Sequence, residues 1–125
     1  MGVWTTGSYN GSRFRIEPSP EADSAFDSLS GKRPKKDLAR IVARIERFAN
    51  TGKLHAPGQI NDEGDGFFAI KDVSGQLRAY CWYDETERGV VIISHFIVKK
   101  KDDLDPRDKA KMIQVRNIRR QSKRK

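Results

Sequence analysis

The chain of 125 residues has a single cysteine, Cys81, and only two histidines, His55 and His95. One thiol cannot form an internal disulfide, which suits a reducing cytoplasm. Within the aromatic-rich run "LRAYCWY", Cys81 reads as a small buried residue rather than a nucleophile. Two distant histidines and one isolated cysteine offer no paired-ligand spacing for a metal. The segment "NDEGDG" lacks the spacing and closing glutamate of a calcium loop and reads as a turn. No Gly-rich phosphate loop and no Ser-His-Asp signature occurs, so neither a metal nor another cofactor is expected. No apolar run approaches the roughly 20 residues needed to span a bilayer. The opening "MGVWTTGSYNG" also lacks the basic-then-apolar layout of a secretory signal. A cytoplasmic protein without membrane contact is the expectation.

The chain is rich in charge, and its cations are unevenly placed. Apolar residues make up 36% and charged residues 34%, enough for one compact core and hence one domain. Residues 1–98 hold 13 Lys/Arg against 13 Asp/Glu, whereas residues 99–125 hold 12 against 4 and supply the whole formal charge of +8. Such a local excess attracts polyanions or an acidic protein partner. The last residues, 121–125, read as a solvated basic tail.

Periodicity divides the rest. Residues 1–12 are Gly/Ser/Thr/Asn-rich and predict a flexible lead-in, with Trp4 and Tyr9 as its available anchors. In "SRFRIEP", Phe14 and Ile16 alternate with Arg13 and Arg15, which predicts a short strand. Ser19 as N-cap and Pro20 at the first helical position open a helix with Ala22, Ala25, Phe26 and Leu29 on one face. A second helix over 35–50 carries Leu38, Ile41, Val42, Ile45, Phe48 and Ala49 in one stripe, with Arg40, Arg44 and Arg47 in a separate row. Residues 53–66 predict a loop. "GFFAIKDV", "QLRAYCWY" and "GVVIISHFIV" then predict three consecutive antiparallel strands. Asp105 and Pro106 open a basic terminal helix whose Ala110, Ile113 and Ile118 would bury a narrow face. The expected fold is α+β, β-α-α-β-β-β-α, in a single domain over 13–120. Two helices would cover one face of an antiparallel sheet and leave the other partly free.

Polar residues interrupt all three apolar strands: Lys71 in the first, Arg78 in the second and His95 in the third, followed by Lys99, Lys100 and Lys101. Convergence of these groups would create a metal-free basic site able to hold a phosphodiester and neutralise a pentavalent transition state. RNA brings its own nucleophile, the 2′-hydroxyl, and needs only a base, an acid and cations. His95 suits either proton-transfer role, a crowded lysine can serve as base, and Arg78 can grip phosphate bidentately. Tyr80 and Trp82 alternate with Arg78 and offer stacking surfaces for bases. Each residue also has a plainer reading: His95 as a hydrogen-bonded structural histidine, Tyr80 and Trp82 as core, and His55 as surface.

"GFFAIKD", "QLRAYCWY" and "IISHFIVKKK", followed by Pro106 and the basic helix, resemble the second half of RelE/HigB-type toxins of bacterial type II toxin–antitoxin systems, in the RelE/ParE superfamily. The order of the preceding strand and helices agrees, so the resemblance covers roughly residues 12–120. It implies a small microbial-RNase-like fold and a metal-independent mRNA interferase that cleaves mRNA, commonly on the ribosome, and arrests growth until a cognate antitoxin neutralises it. Carried over by position, Lys71 and Arg78 would meet the scissile phosphate, with Lys99 and Lys100 in support. The spacing Phe96-Ile97-Val98-Lys99-Lys100 is one residue longer than the common Phe-x-Lys-Lys. Because one residue reverses a strand's facing, which lysine enters the cleft stays open. Two alternatives also stand: a toxin of the same fold that inhibits a replication protein such as gyrase, and a non-catalytic nucleic-acid-binding module.

Overall fold

The computed structural model describes residues 2–56, 58–72, 76–99 and 105–123. It is an α+β fold of six strands and three helices. The strands are β1 (Tyr9–Asn10), β2 (Arg15–Pro18), β3 (Ile60–Gly64), β4 (Phe67–Lys71), β5 (Leu77–Tyr83) and β6 (Val90–Val98). The helices are α1 (Pro20–Ser30), α2 (Lys35–Thr51) and α3 (Pro106–Lys123). One open sheet runs β1-β2-β6-β5-β4-β3. The expected series of strand, two helices, three strands and helix is present as β2, α1, α2, β4, β5, β6 and α3. No described helix is long and apolar enough to cross a membrane.

Three features depart from the expectation. The sheet is mixed rather than antiparallel, because β2 pairs parallel with β6. Two helices and three strands separate these partners, ample chain for the crossover that parallel neighbours require. Residues 60–64, expected as loop, form edge strand β3 paired with β4. Their polarity had concealed them, since an edge strand facing water does not need an apolar face. The turn that follows places Asp65 at φ 56° between Gly64 and Gly66, both also left-handed. Finally, β1 adds a short edge beside β2. Trp4 and Tyr9 tie down the chain around it: the Trp4 indole donates to Glu46 at 2.9 Å and its ring stacks on Tyr9.

The two main helices follow their signals. The Ser19 hydroxyl accepts from the Ala22 amide at 3.1 Å, and Pro20 occupies the first turn. Leu38, Ile41, Ile45, Phe48 and Ala49 of α2 are buried, with Val42 packed beside them, and Gly52 ends the helix in the left-handed conformation. This stripe joins Ile16, Phe68, Ile70, Leu77, Ala79, Cys81, Val91, Ile93 and Phe96 in the larger core on one face of the sheet. Burial pushes the Cys81 thiol far above its ordinary pKa, leaving it inert.

The opposite face, expected to be partly free, is covered by α3. Phe67, Ala69, Tyr80, Trp82, Val90 and Ile92 form a second core there, closed by Met112 and flanked by Val115. The helix is rotated away from the expected Ala110, Ile113 and Ile118 stripe; Ile118 is 59% exposed while Met112 is 0%. Ionic and cation–π contacts set this rotation. Arg116 lies 4.2 Å over the Phe67 ring and donates to the Asp65 carbonyl at 2.7 Å. Lys109 pairs with Asp65 at 2.9 Å, Lys111 with Glu21 at 2.7 Å, Arg119 with Glu17 and Asp84, and Arg120 with Glu85. Asp105 opens the helix by accepting from the Arg107 amide at 2.8 Å.

Met112 is the only fully buried apolar side chain of α3 among those described. Truncation by Met112→Ala should cost about 2–5 kcal/mol in urea unfolding. Red-shifted Trp82 emission in native buffer would report loss of the α3 cover; unchanged emission and midpoint would mean that ion pairs alone hold the helix.

Candidate active site

Strand alternation puts the interrupting polar residues on one face, the face beneath α3. Arg78, Tyr80 and Trp82 alternate in β5 with Leu77, Ala79 and Cys81, which enter the larger core. Register sets Lys71 opposite Arg78 across β4/β5, and Tyr80 opposite His95 across β5/β6. Directly opposed side chains have Cβ atoms about 5 Å apart. A register shift between Tyr80 and Cys81 brings His95 to this face, next to Ser94. The Tyr80 and His95 rings lie 5.2 Å apart.

The face is almost dry. Arg78 and His95 are each 1% exposed, and Lys71 is 9% exposed. A cation embedded in a sheet must be compensated, and Arg78 has interactions that engage it. Burial pushes the Tyr80 phenol well above its ordinary pKa, Asp108 and Glu63 push it further, and contact with Arg78 only partly offsets them. The Tyr80 hydroxyl therefore stays protonated, and among the described residues it makes no well-formed hydrogen bond.

His95 is hydrogen-bonded at one ring nitrogen and faces a carboxylate at the other. Nδ1 lies 2.9 Å from the Ser94 hydroxyl, and Nε2 lies 3.5 Å from Asp108 at the start of α3, too long for a well-formed hydrogen bond. Burial lowers the imidazole pKa; Asp108 and Glu21 oppose the shift and Lys111 adds to it. The ring is thus neutral near pH 7. With the Ser94 hydroxyl donating to Nδ1, Nε2–H points toward the acceptor-only carboxylate of Asp108.

Of the three lysines, Lys99 is the one described. Its amide continues the strand ladder to Gln76 at 2.6 Å, and alternation from Ile97 through Val98 carries its side chain to the face of Arg78 and His95. Its Nζ is buried with no hydrogen-bond partner among the described residues. Lys100 and Lys101 lie outside the described residues. Trp82 packs edge-on to Phe67 in the second core, so neither it nor Tyr80 offers an open stacking surface while α3 is docked. His55 is exposed on the loop after α2, on the other side of the sheet.

The arrangement thus joins Lys71, Arg78, Tyr80, His95 and Lys99 on one face, with Tyr80 Oη, His95 Nε2 and Lys99 Nζ making no well-formed hydrogen bond among the described residues. Sequence reasoning passed over Ser94 and Asp108. Ser94 adjoins His95 and was within reach of inspection. Asp108 gave no signal, because its contact depends on where α3 docks. Compared with models of known protein families and with curated proteins, the chain matches none.

The lowered His95 pKa has a defined sign. An unfolded histidine titrates near pH ~6.5, so below that value the unfolded chain binds the proton that the folded site resists. The contribution of a neutral His95 is present above pH ~6.5 and is lost as pH falls toward the folded pKa. Thermal melts should show Tm dropping on acidification through this window, and His95→Gln should flatten that dependence. Parallel curves for the two proteins would contradict it.

Proposed function

We propose that this chain is a RelE/HigB-type toxin of a toxin–antitoxin pair, a metal-independent endoribonuclease that cuts mRNA. The observation that supports this reading is one sheet face that combines Arg78 and Lys71 with three buried polar atoms, on Tyr80, His95 and Lys99, that make no well-formed hydrogen bond among the described residues. Buried unsatisfied groups are costly, and a site that keeps several together has acceptors or donors to meet in a ligand. An RNA phosphodiester supplies anionic oxygens for the cations, and the neighbouring 2′-hydroxyl supplies a proton for the histidine to take.

In the proposed reaction Asp108 leaves with α3, and the imidazole of His95 carries its proton on Nδ1 toward the Ser94 oxygen. The bare Nε2 takes the proton of the RNA 2′-hydroxyl as that oxygen attacks the adjacent phosphorus, and the 5′-oxygen leaves with a proton from Lys71 or Lys99. Arg78 holds the phosphate, and all three cations meet the charge that builds in the transition state. Bound RNA, taking the place of α3 over the face, excludes water and so strengthens these interactions. RNA reaches the face only when α3 lifts, which exposes Tyr80 and Trp82 for base stacking at the same time. The ribosome is the proposed setting, and mRNA in its decoding site the proposed substrate.

A cognate antitoxin is the proposed protein partner. Its contact with α3 would be acidic, and it would compete with Glu17, Glu21, Asp65, Asp84 and Glu85, the carboxylates that already hold that helix. The same contacts weigh against a passive nucleic-acid-binding module, since such a module needs the helix cations free for phosphates.

Induced expression tests the reading. Wild type should halt growth and fragment transcripts. Cleavage by Arg78→Ala should fall by about 100-fold or more, and by His95→Ala over a similar range. Growth arrest with intact transcripts would shift the target to replication; full cleavage by Arg78→Ala would dismiss this face as the site.

A further inference from the structure

Exposed cations without an ion-pair partner among the described residues include a pair outside the basic C-terminal stretch. The cations of α3 named above are taken up by carboxylates and carbonyls. At the opposite side of the sheet, where α2 ends, Arg47 and Lys53 are exposed and have no ion-pair partner among the described residues. They border a cavity of about 650 Å³ also lined by His55, Gln59 and Tyr83, with no carboxylate in its wall. The stem of Arg13 adjoins Gly52 at its rim, where a Cβ on the glycine would lie 3.7 Å from the Arg13 Cγ.

Tyr83 makes this more than a charged hollow. It is 50% exposed, yet its ring is braced by Phe68 at 4.9 Å and Phe14 at 5.7 Å, and Phe14 stacks in turn on Phe48. A large aromatic held rigid from behind and open in front is a stacking platform whose own ordering cost is already met. The negative end of the α2 dipole lies here and would oppose an anion. Its carbonyls are occupied, however: Phe48 accepts from the Gly52 amide at 2.7 Å, and Ala49 from the amides of Arg13 and Phe14 at 2.8 and 2.9 Å.

We infer that this notch binds one nucleotide of single-stranded RNA, with a base stacked on Tyr83 and the flanking phosphates held by Arg47 and Lys53. The inference rests on the RNA reading above and extends it to a second contact point on the opposite face of the sheet. Tyr83 and Arg78 lie on the same strand five residues apart, roughly 17 Å along it. An RNA strand passing around the β5 end of the sheet would therefore be gripped on both sides. An acidic peptide would satisfy the cations but would have no use for the braced ring.

The test measures binding of a fluorescent, single-stranded 2′-O-methyl RNA, which lacks the nucleophile, to the full chain by anisotropy across salt concentrations. Arg47→Glu with Lys53→Glu should weaken binding by about tenfold or more and reduce the salt slope by about 1.4. Tyr83→Leu, which keeps the apolar packing, should weaken it by about tenfold at unchanged slope. Adenosine monophosphate titrated into wild type should shift the amides of residues 51–55 and 83, a readout that requires no variant to fold. Unchanged affinity in both variants, or amide shifts confined to other residues, overturns the notch. So does polyglutamate binding that depends on Arg47 and Lys53 as strongly as RNA binding does and competes for the same site, because charge alone would then explain it. Cleavage of ordinary RNA by wild type is scored separately. Cleavage with variant affinities unchanged removes the notch and keeps the nuclease; notch-dependent binding without cleavage does the reverse.

Discussion

The docking of α3 on the second face of the sheet is the constraint from which the rest follows. A six-stranded sheet with apolar residues on both faces cannot leave one of them in water, and α1 and α2 cover only one. Met112 and Val115 supply a small apolar contact for the other. The remainder comes from ion pairs and from Arg116 over Phe67. Exposed ion pairs contribute about 0–1 kcal/mol each, so the cover is held by many weak contacts and little core. A helix attached in this way can be moved by a competitor for its cations more readily than one buried by a continuous apolar stripe.

That cover also sets the chemistry beneath it. Lys71, Arg78 and His95 sit in strands that would pack better with apolar residues at those positions. The desolvation that makes them costly to stability lowers the imidazole pKa and raises that of the Tyr80 phenol. Neutral imidazole, protonated phenol and fixed cations then share a few ångströms of low-dielectric space. Asp108 couples this group to the helix, since the residue that faces His95 belongs to the element that closes the face.

Charge count and usable charge have different locations in this protein. The basic excess resides after residue 98, yet the helix cations there are largely turned inward onto the domain's own carboxylates. Arg47 and Lys53, in the electrically balanced part of the chain, are the ones left facing solvent beside an open aromatic ring. The Arg40, Arg44 and Arg47 row is correspondingly split: Arg40 faces Asp37 at 3.8 Å, Arg44 donates to the Lys71 carbonyl at 2.6 Å, and Arg47 borders the notch.

The sequence by itself determined what depends on periodicity and local geometry. The α2 stripe, the Ser19-Pro20 helix start, the β4-β5-β6 meander and the shared facing of Arg78, Tyr80 and Trp82 within one strand follow from local signals and from side chains repeating every 3.6 or 2 residues, whereas Lys71 joins that face through strand register. The tertiary structure alone decided what depends on distant partners. Strand β3 shows no apolar pattern because its bonding partner, not its own composition, makes it a strand. The rotation of α3 was set by Asp65, Glu17, Asp84 and Glu85, residues 35 to 102 positions from their partners, whose proximity no local rule encodes. The facing of His95 required the irregularity in β6, and its contact with Asp108 required α3 to be docked. Local propensity acts over one or two turns of chain, whereas burial and ion pairing act through space, and the second face of this sheet is built from the latter.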